Sequence, residues 1–110
     1  MSVHIVLYNI HQSLPVLEDL LEKPALKSVH ILLLQETPSA LPVTPGWCIL
    51  LPPPVRDPKG ETHRNRAVVL VSDQVKLASI EQIRIESPDI LGIDLRTETG
   101  QLLRILNIYN

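Results

Sequence analysis

Phenylalanine is absent from this 110-residue sequence, and Tyr8, Trp47 and Tyr109 are its only aromatic residues. Sequence-tolerant binding of single-stranded nucleic acid stacks successive bases on several aromatic side chains, so that mode is excluded. Cysteine is nearly absent too. Cys48 stands alone, which excludes an internal disulfide and any cysteine-rich zinc site. It points instead to a buried thiol in a reducing compartment. Charge of one sign is scarce: 10 Lys and Arg against 12 Asp and Glu leave a formal net charge of −2. Such a chain does not bind nucleic acid by bulk charge alone. A protein that meets nucleic acid through a bound metal can still be mildly acidic, because the ion supplies positive charge locally. No apolar run approaches the roughly 18 residues of a membrane span. Residues 1–7 lack the basic segment and long apolar run of a secretory signal, so an intracellular protein without a membrane partner is expected, nuclear or cytoplasmic alike.

What the sequence does have is Leu, Ile and Val within an apolar fraction of 45%, enough for one domain with a real core and too short for two. Residues 3–9 are apolar at both alternating sets of positions and read as a strand covered on both faces, ending near Asn9. Ser13 is a good N-cap and Pro15 suits a first helical turn. Leu14, Leu17 and Leu21 recur at helical spacing, with Glu18, Asp19 and Glu22 off that stripe, and Pro24 stops the helix. Residues 30–35 form a second apolar strand closing on Gln35-Glu36-Thr37-Pro38, so the chain opens with a βαβ-like unit. Seven of the ten prolines then fall between Pro38 and Pro58, a rigid irregular connection interrupted by a strand at 47–51. Residues 56–66 are polar and basic and read as a loop. Further strands are expected at 67–72, 83–86, 90–95 and 102–109, with a hairpin turn at Thr99-Gly100; residues 73–82 are ambiguous. One helix followed mostly by strands predicts an α/β fold with a mixed sheet rather than a doubly wound parallel one. The last strand runs up to the final residue, and a strand cut there leaves edges unpaired, which suggests a domain that continues downstream.

Three polar residues end apolar strands: Asn9, Glu36 and Tyr109. Period-two counting puts Asn9 on the face of Ile5 and Leu7, and Glu36 on the face of Leu32 and Leu34. The end of an apolar face is a core rim, where the sites of sheet-based enzymes collect. Glu36 is the sharpest of the three, since Mg²⁺ is commonly held by one or two carboxylates, waters and substrate phosphate. It reads equally as an exposed glutamate beginning a loop. Asn9 can orient a phosphate or that carboxylate, or simply terminate a strand. Tyr109 can donate to a phosphate oxygen, or be an amphipathic tyrosine at a core edge. Arg56, Lys59, His63, Arg64 and Arg66 can touch phosphates, or form a solvated basic loop. The histidines His4, His11, His30 and His63 share no metal spacing; His4 and His30, inside strands, read as structural, and His11 is given no role. There is no glycine-rich phosphate loop, no serine nucleophile elbow and no Cys–His pair in a motif.

Taken in order, these pieces resemble one family. Val6-Leu7-Tyr8-Asn9-Ile10 resembles the first strand, with the active-site asparagine, of the deoxyribonuclease-I-like endonuclease/exonuclease/phosphatase superfamily. Ile31-Leu32-Leu33-Leu34-Gln35-Glu36 resembles its second strand, closing on the metal-ligating glutamate. Gly46-Trp47 and Arg66-Ala67-Val68-Val69-Leu70-Val71 resemble its middle strands. Leu103-Arg104-Ile105-Leu106-Asn107-Ile108-Tyr109-Asn110 resembles the strand that bears the active-site tyrosine, and its Asn-Ile-Tyr-Asn ending is close to that of LINE-type, especially fungal, retrotransposon endonucleases. The resemblance implies the N-terminal part of a two-sheet α/β sandwich with a Mg²⁺-dependent DNA endonuclease activity. It implies Asn9 and Tyr109 as catalytic residues, Glu36 as metal ligand, and DNA contacts from Arg64 and Arg66. It further implies, as partners, the C-terminal half of the domain or a reverse transcriptase domain. The family's Asp-x-Asn and Ser-Asp-His motifs do not occur in the sequence and would follow Asn110; Asp73, Asp89 and Asp94 do not lie in matching motifs. A chain without them is expected to be inactive alone. Two rivals are a lipid or inositol phosphatase of the same superfamily, and a non-enzymatic remnant or partner-binding module.

Overall fold

The first helix forms where its cap and its leucines place it. In the computed structural model, which describes residues 3–38, 41, 44–53, 58–60, 65–75 and 79–110, Ser13 caps helix α1 (Leu14–Glu22) by accepting the Val16 N–H at 3.2 Å. Leu17 and Leu20 are the helix's buried residues, whereas Leu14 is 37% exposed, so the inward stripe runs along Leu17, Leu20 and Leu21. Pro24 ends α1, but the chain continues as a short 3₁₀ helix, Pro24–Ser28, that buries Leu26. Burying one leucine fully contributes about 1.5–3 kcal/mol, and Leu17 and Leu26 are set against the same sheet.

That sheet has four strands in the order β1-β2-β4-β3: β1 (Ile5–Asn9), β2 (Ile31–Gln35), β3 (Trp47–Leu50) and β4 (Ala67–Ser72). β1 and β2 are parallel, as the intervening helix requires, with Ile5 opposite Ile31 and Asn9 opposite Gln35. β4 lies antiparallel to both β2 and β3, so the sheet is mixed. A second sheet of β5 (Ile80–Ile83), β6 (Ile90–Arg96) and β7 (Leu102–Ile108) is antiparallel throughout. The β6–β7 hairpin turns at Gly100, whose φ of +84° suits a residue without Cβ, and Thr97 N–H donates to the Gln101 carbonyl at 2.8 Å.

Two cores result. Leu32, Leu34, Val68 and Leu70 face the helices, together with Ile10, Leu17 and Leu26. Ile31, Leu33, Val69 and Val71 face Leu91, Ile93 and Leu95 of the second sheet. This is an α/β two-sheet sandwich with its helix outside. Among the described residues no helix is long and apolar enough to cross a membrane.

Three expectations need correction. β1 is not covered on both faces: Ile5, Leu7 and Tyr8 are 41%, 56% and 42% exposed. It is an edge strand, and the second sheet packs over β2 and β4 without reaching across it. β5 lies at Ile80–Ile83 rather than 83–86, because Ile80 packs against the inter-sheet core and the ladder ends at the Ile83–Gly92 pair. Beyond it Ser87 N–H bonds the Ile85 carbonyl, which turns the chain out of the sheet. Cys48 is only partly buried, since β3 is the other edge of its sheet.

Candidate functional site

Parallel pairing brings the C-terminal ends of β1 and β2 to one edge of the sandwich, and the antiparallel pairings bring the start of β4, the start of β6 and the end of β7 to the same edge. The two sheets are tied together there. Arg66 N–H donates to the Pro88 carbonyl at 2.7 Å, and the Gln35 side-chain amide donates to the Ile108 carbonyl at 2.8 Å. Beneath this rim Asn107 is 1% exposed, and its amide donates to the carbonyls of Leu34 and Val68, each at 3.0 Å.

Three of the sequence candidates meet here. Tyr109 OH donates to Glu36 Oε1 at 2.9 Å, joining residues 73 positions apart and on different sheets. Asn9 Oδ1 accepts the His11 N–H at 2.9 Å, and this turn aims the imidazole at the same carboxylate: His11 Nδ1 lies 3.2 Å from Glu36 Oε2. Gln12 N–H donates to the Glu36 carbonyl at 2.7 Å, and Glu36 N–H to the Arg66 carbonyl at 3.0 Å. His11, Gln12 and Glu36 have φ of 50°, 60° and 52°, a left-handed conformation uncommon outside glycine. The alternation of β2 stops at Glu36 for that reason. Its carboxylate does not continue the helix-facing row of Leu32 and Leu34 but reaches Tyr109 of the other sheet.

The hydrogen bond from Tyr109, above all, holds the Glu36 carboxyl below the usual carboxylate range; partial burial opposes it, and the Asn9 amide and the nearby His11 assist. The same bond, with partial burial and the negative charge of Glu36, raises Tyr109 above the ordinary phenol value. Arg66 lies over the Tyr109 ring, 5.7 Å from its centroid, and Asp89 grips the guanidinium through both carboxylate oxygens. Asp89 also accepts the Tyr109 N–H on its backbone carbonyl at 2.7 Å. Arg66 is thus at the rim with its charge already matched, placed to fix the tyrosine. Arg56, His63 and Arg64 lie outside the described residues. Sequence reasoning assigned nothing to His11 and nothing to Asp89. The proximity of His11 to Asn9 was its signal, whereas the pairing of Asp89 with Arg66 left none.

Glu36 and Asn9 offer oxygen donors and His11 a nitrogen donor. The Glu36 side chain is 22% exposed, so a cation with its waters has access. A single carboxylate with waters suits a partly hydrated hard ion. Among the described residues no group of three or more His, Cys, Asp or Glu could hold a metal by protein ligands alone.

No protein-family model matches the sequence, and no curated protein matches it. The fold does find a counterpart. The chain superposes on the endonuclease domain of TRAS1, a telomere-specific non-LTR retrotransposon, with a TM-score of 0.67 over 98% of its residues. The fold is retrotransposon-endonuclease-like. Sequence identity to that domain is 15%, so the likeness speaks for the fold, and the chain spans 46% of the length of the domain it matches. In this endonuclease-like fold the cluster of Asn9, Glu36 and Tyr109 occupies one end of the sandwich, where strand ends from both sheets converge.

Proposed function

We propose that this chain carries the front part of a metal-dependent phosphodiesterase site acting on DNA, of the retrotransposon endonuclease type within the deoxyribonuclease-I-like superfamily. The observation that carries this reading is the meeting of Tyr109 and His11 on the Glu36 carboxylate, beside Asn9, in a fold shared with an endonuclease domain. A Mg²⁺ ion held by Glu36 and waters would stabilise the charge that develops on a phosphodiester under attack. With Glu36 engaged by the ion, the single Tyr109 O–H would turn from Glu36 Oε1 to a phosphate oxygen beside it, and Asn9 orients the carboxylate and the turn that follows it. Arg66, braced by Asp89, holds the tyrosine ring at the rim proposed to face DNA.

The chain by itself is proposed to bind rather than to cleave. Cleavage needs an oriented water and help for the leaving oxygen as well as the cation, and missing acid–base help typically lowers rates about 10²- to 10⁴-fold. The half-exposed Leu102, Leu106 and Ile108 of β7 favour a second, compatible reading, in which this part works with the remainder of an endonuclease domain or beside a reverse transcriptase. A lipid or inositol phosphate substrate has no feature of this site in its favour over DNA.

The test is NMR titration of the purified chain with Mg²⁺ and duplex DNA, beside nicking of supercoiled plasmid by wild type and Glu36→Ala with an EDTA control. Shifts confined to Asn9, Glu36 and Tyr109, abolished in Glu36→Ala, with no nicking above the variant's background, are expected. Shifts centred elsewhere sink the site. Nicking that disappears in both controls shows that the chain cleaves alone.

A further inference from the structure

Both oxygens of Glu36 already have partners, and they differ in kind. Oε1 is held by the Tyr109 hydroxyl, a group that suits a phosphate as well as a carboxylate. Oε2 faces an imidazole nitrogen at 3.2 Å. His11 is not drawn there by packing, since its side chain is 79% exposed. Its backbone puts it there. The turn from Asn9 to Ser13 is fastened by Ile10 N–H to the Gln35 carbonyl at 3.1 Å and by Gln12 N–H to the Glu36 carbonyl at 2.7 Å. It also keeps two successive non-glycine residues left-handed. Strain of that kind persists where the surroundings over-determine it, commonly at functional sites.

We infer that His11 is a second ligand of the cation site, and that the pair His11 Nδ1 and Glu36 Oε2 adapts it to a divalent transition ion such as Zn²⁺ or Co²⁺ as well as to Mg²⁺. The inference rests on the proposed role of Glu36 and deepens it by naming the class of cation. Two donors 3.2 Å apart subtend an angle of about 100° at an ion with ordinary Zn–N and Zn–O distances near 2.1 Å, between tetrahedral and octahedral values. Imidazole nitrogen favours such ions, while carboxylate and water alone favour Mg²⁺. Binding requires the Nδ1 lone pair, so the ligating imidazole is the tautomer with its proton on Nε2, and the largely exposed side chain leaves room for it. Waters and a bound phosphate would complete the coordination, and the oxygen donors of Asn9 and Glu36 would still serve Mg²⁺.

The experiment is calorimetric titration of the full chain with Zn²⁺, Co²⁺ and Mg²⁺, with Co²⁺-induced paramagnetic broadening in NMR to locate the ion. Wild type, His11→Gly and Glu36→Gln are compared. His11→Gly removes the imidazole and also relieves the left-handed backbone. It is therefore expected to melt no lower than wild type while binding Zn²⁺ and Co²⁺ about tenfold more weakly, with Mg²⁺ affinity unchanged within about twofold. Glu36→Gln is expected to weaken all three ions. If His11→Gly lowers none of the affinities, or lowers all three alike, His11 is not a selective ligand and the inference fails, while loss in Glu36→Gln alone leaves the Glu36 site standing. If Glu36→Gln changes nothing, the site itself is wrong. Co²⁺ broadening centred on His4 and His30 rather than on residues 9–12 and 36 would also overturn the inference.

Discussion

Asn107 ties the two sheets together at their most buried polar point, and replacing it should separate hydrogen bonding from packing. Its amide spans the carbonyls of Leu34 and Val68 at 3.0 Å each, and its oxygen accepts from the Gln35 amide at 3.3 Å. The residue is 1% exposed, so water does not readily replace these partners. Among the described residues every buried side-chain nitrogen and oxygen has a partner, and Asn107→Ala breaks that condition while opening a small cavity. Two neutral bonds at about 1 kcal/mol each, plus the cavity and the weaker of the two Gln35 amide bonds, give a loss of about 2–4 kcal/mol. With a urea slope near 1.5 kcal/mol/M the midpoint should fall by about 1–3 M. Asn107→Leu keeps the branched shape and opens no cavity, losing chiefly the bonds, so it should fall less. Asn107→Asp is nearly isosteric but sets a carboxylate against two carbonyl oxygens. The introduced carboxyl has its folded pKa raised, so its stability is greatest at low pH and is lost as pH rises through that pKa. Chemical denaturation of the three variants between pH 4 and 8 reads this out. An Asn107→Asp variant as stable at pH 8 as Asn107→Leu, with no pH trend, would refute the assignment of the amide as the bridging donor.

The carboxyl of Glu36 is held below its ordinary value of 4.5 chiefly by Tyr109, so its contribution is present above 4.5 and is lost as pH falls through the lower folded value. The phenol is raised above 10.0, so the same bond holds below 10.0 and is lost as pH rises through the folded value. The stability difference between wild type and Tyr109→Phe should therefore be flat at neutral pH and shrink toward both extremes; a constant difference down to pH 3 contradicts it. Arg66→Ala removes a half-exposed bidentate pair with Asp89, a loss of about 0.5–1 kcal/mol. Its larger effect should be on Tyr109, visible as greater ring mobility in NMR, and an unchanged ring environment counts against the bracing role. Gly92→Ala places a Cβ 2.8 Å from Leu106 Cδ2 and 3.2 Å from Ile83 Cδ1. Leu106 is 47% exposed and can swing aside, so a loss of about 1 kcal/mol is expected. Leu106→Ala should relieve most of it in a double-mutant cycle read by thermal melting, and strictly additive losses would show that the clash lies elsewhere.

Much of the fold was legible because it rests on local chemistry. Ser13, Pro15 and Pro24 bracket α1 with residues whose hydrogen-bonding capacity fixes where a helix starts and stops. Gly100 marks the β6–β7 hairpin for a similarly local reason. Burial was less legible. Ile5 and Leu7 are as apolar as Ile31 and Leu33, yet the first pair is largely exposed and the second buried. The difference is the order β1-β2-β4-β3, which no periodicity reports. The same holds for Cys48 on the opposite edge strand. The start of β5 escaped notice because Ile80 is recognisable as a strand residue only through its place beside Leu95.

The candidate site divides along the same line. Asn9, Glu36 and Tyr109 were readable as strand-terminal polar residues, and topology then sets their relation. A helix between β1 and β2 makes them parallel, which puts Asn9 and Glu36 at one edge. The second sheet is then oriented so that β7 runs to that edge as well, with the Gln35 amide gripping the Ile108 carbonyl. Period-two counting fails at Glu36 itself, because a φ of 52° turns its carboxylate out of the strand's alternation and toward Tyr109. The departure is informative: the regular pattern serves the core, and the site begins at the residue where the backbone leaves it. His11 and Gln12 leave it in the same way on the adjacent strand end. The left-handed non-glycine residues among those described are therefore Glu36 and two residues that bond it, Gln12 at its backbone carbonyl and His11 at its carboxylate. A loop that served only to join β1 to α1 would relax this conformation with glycine or asparagine, at a gain of about 1 kcal/mol per position. In this chain His11 and Gln12 hold it without that relief, beside the carboxylate proposed to take the cation.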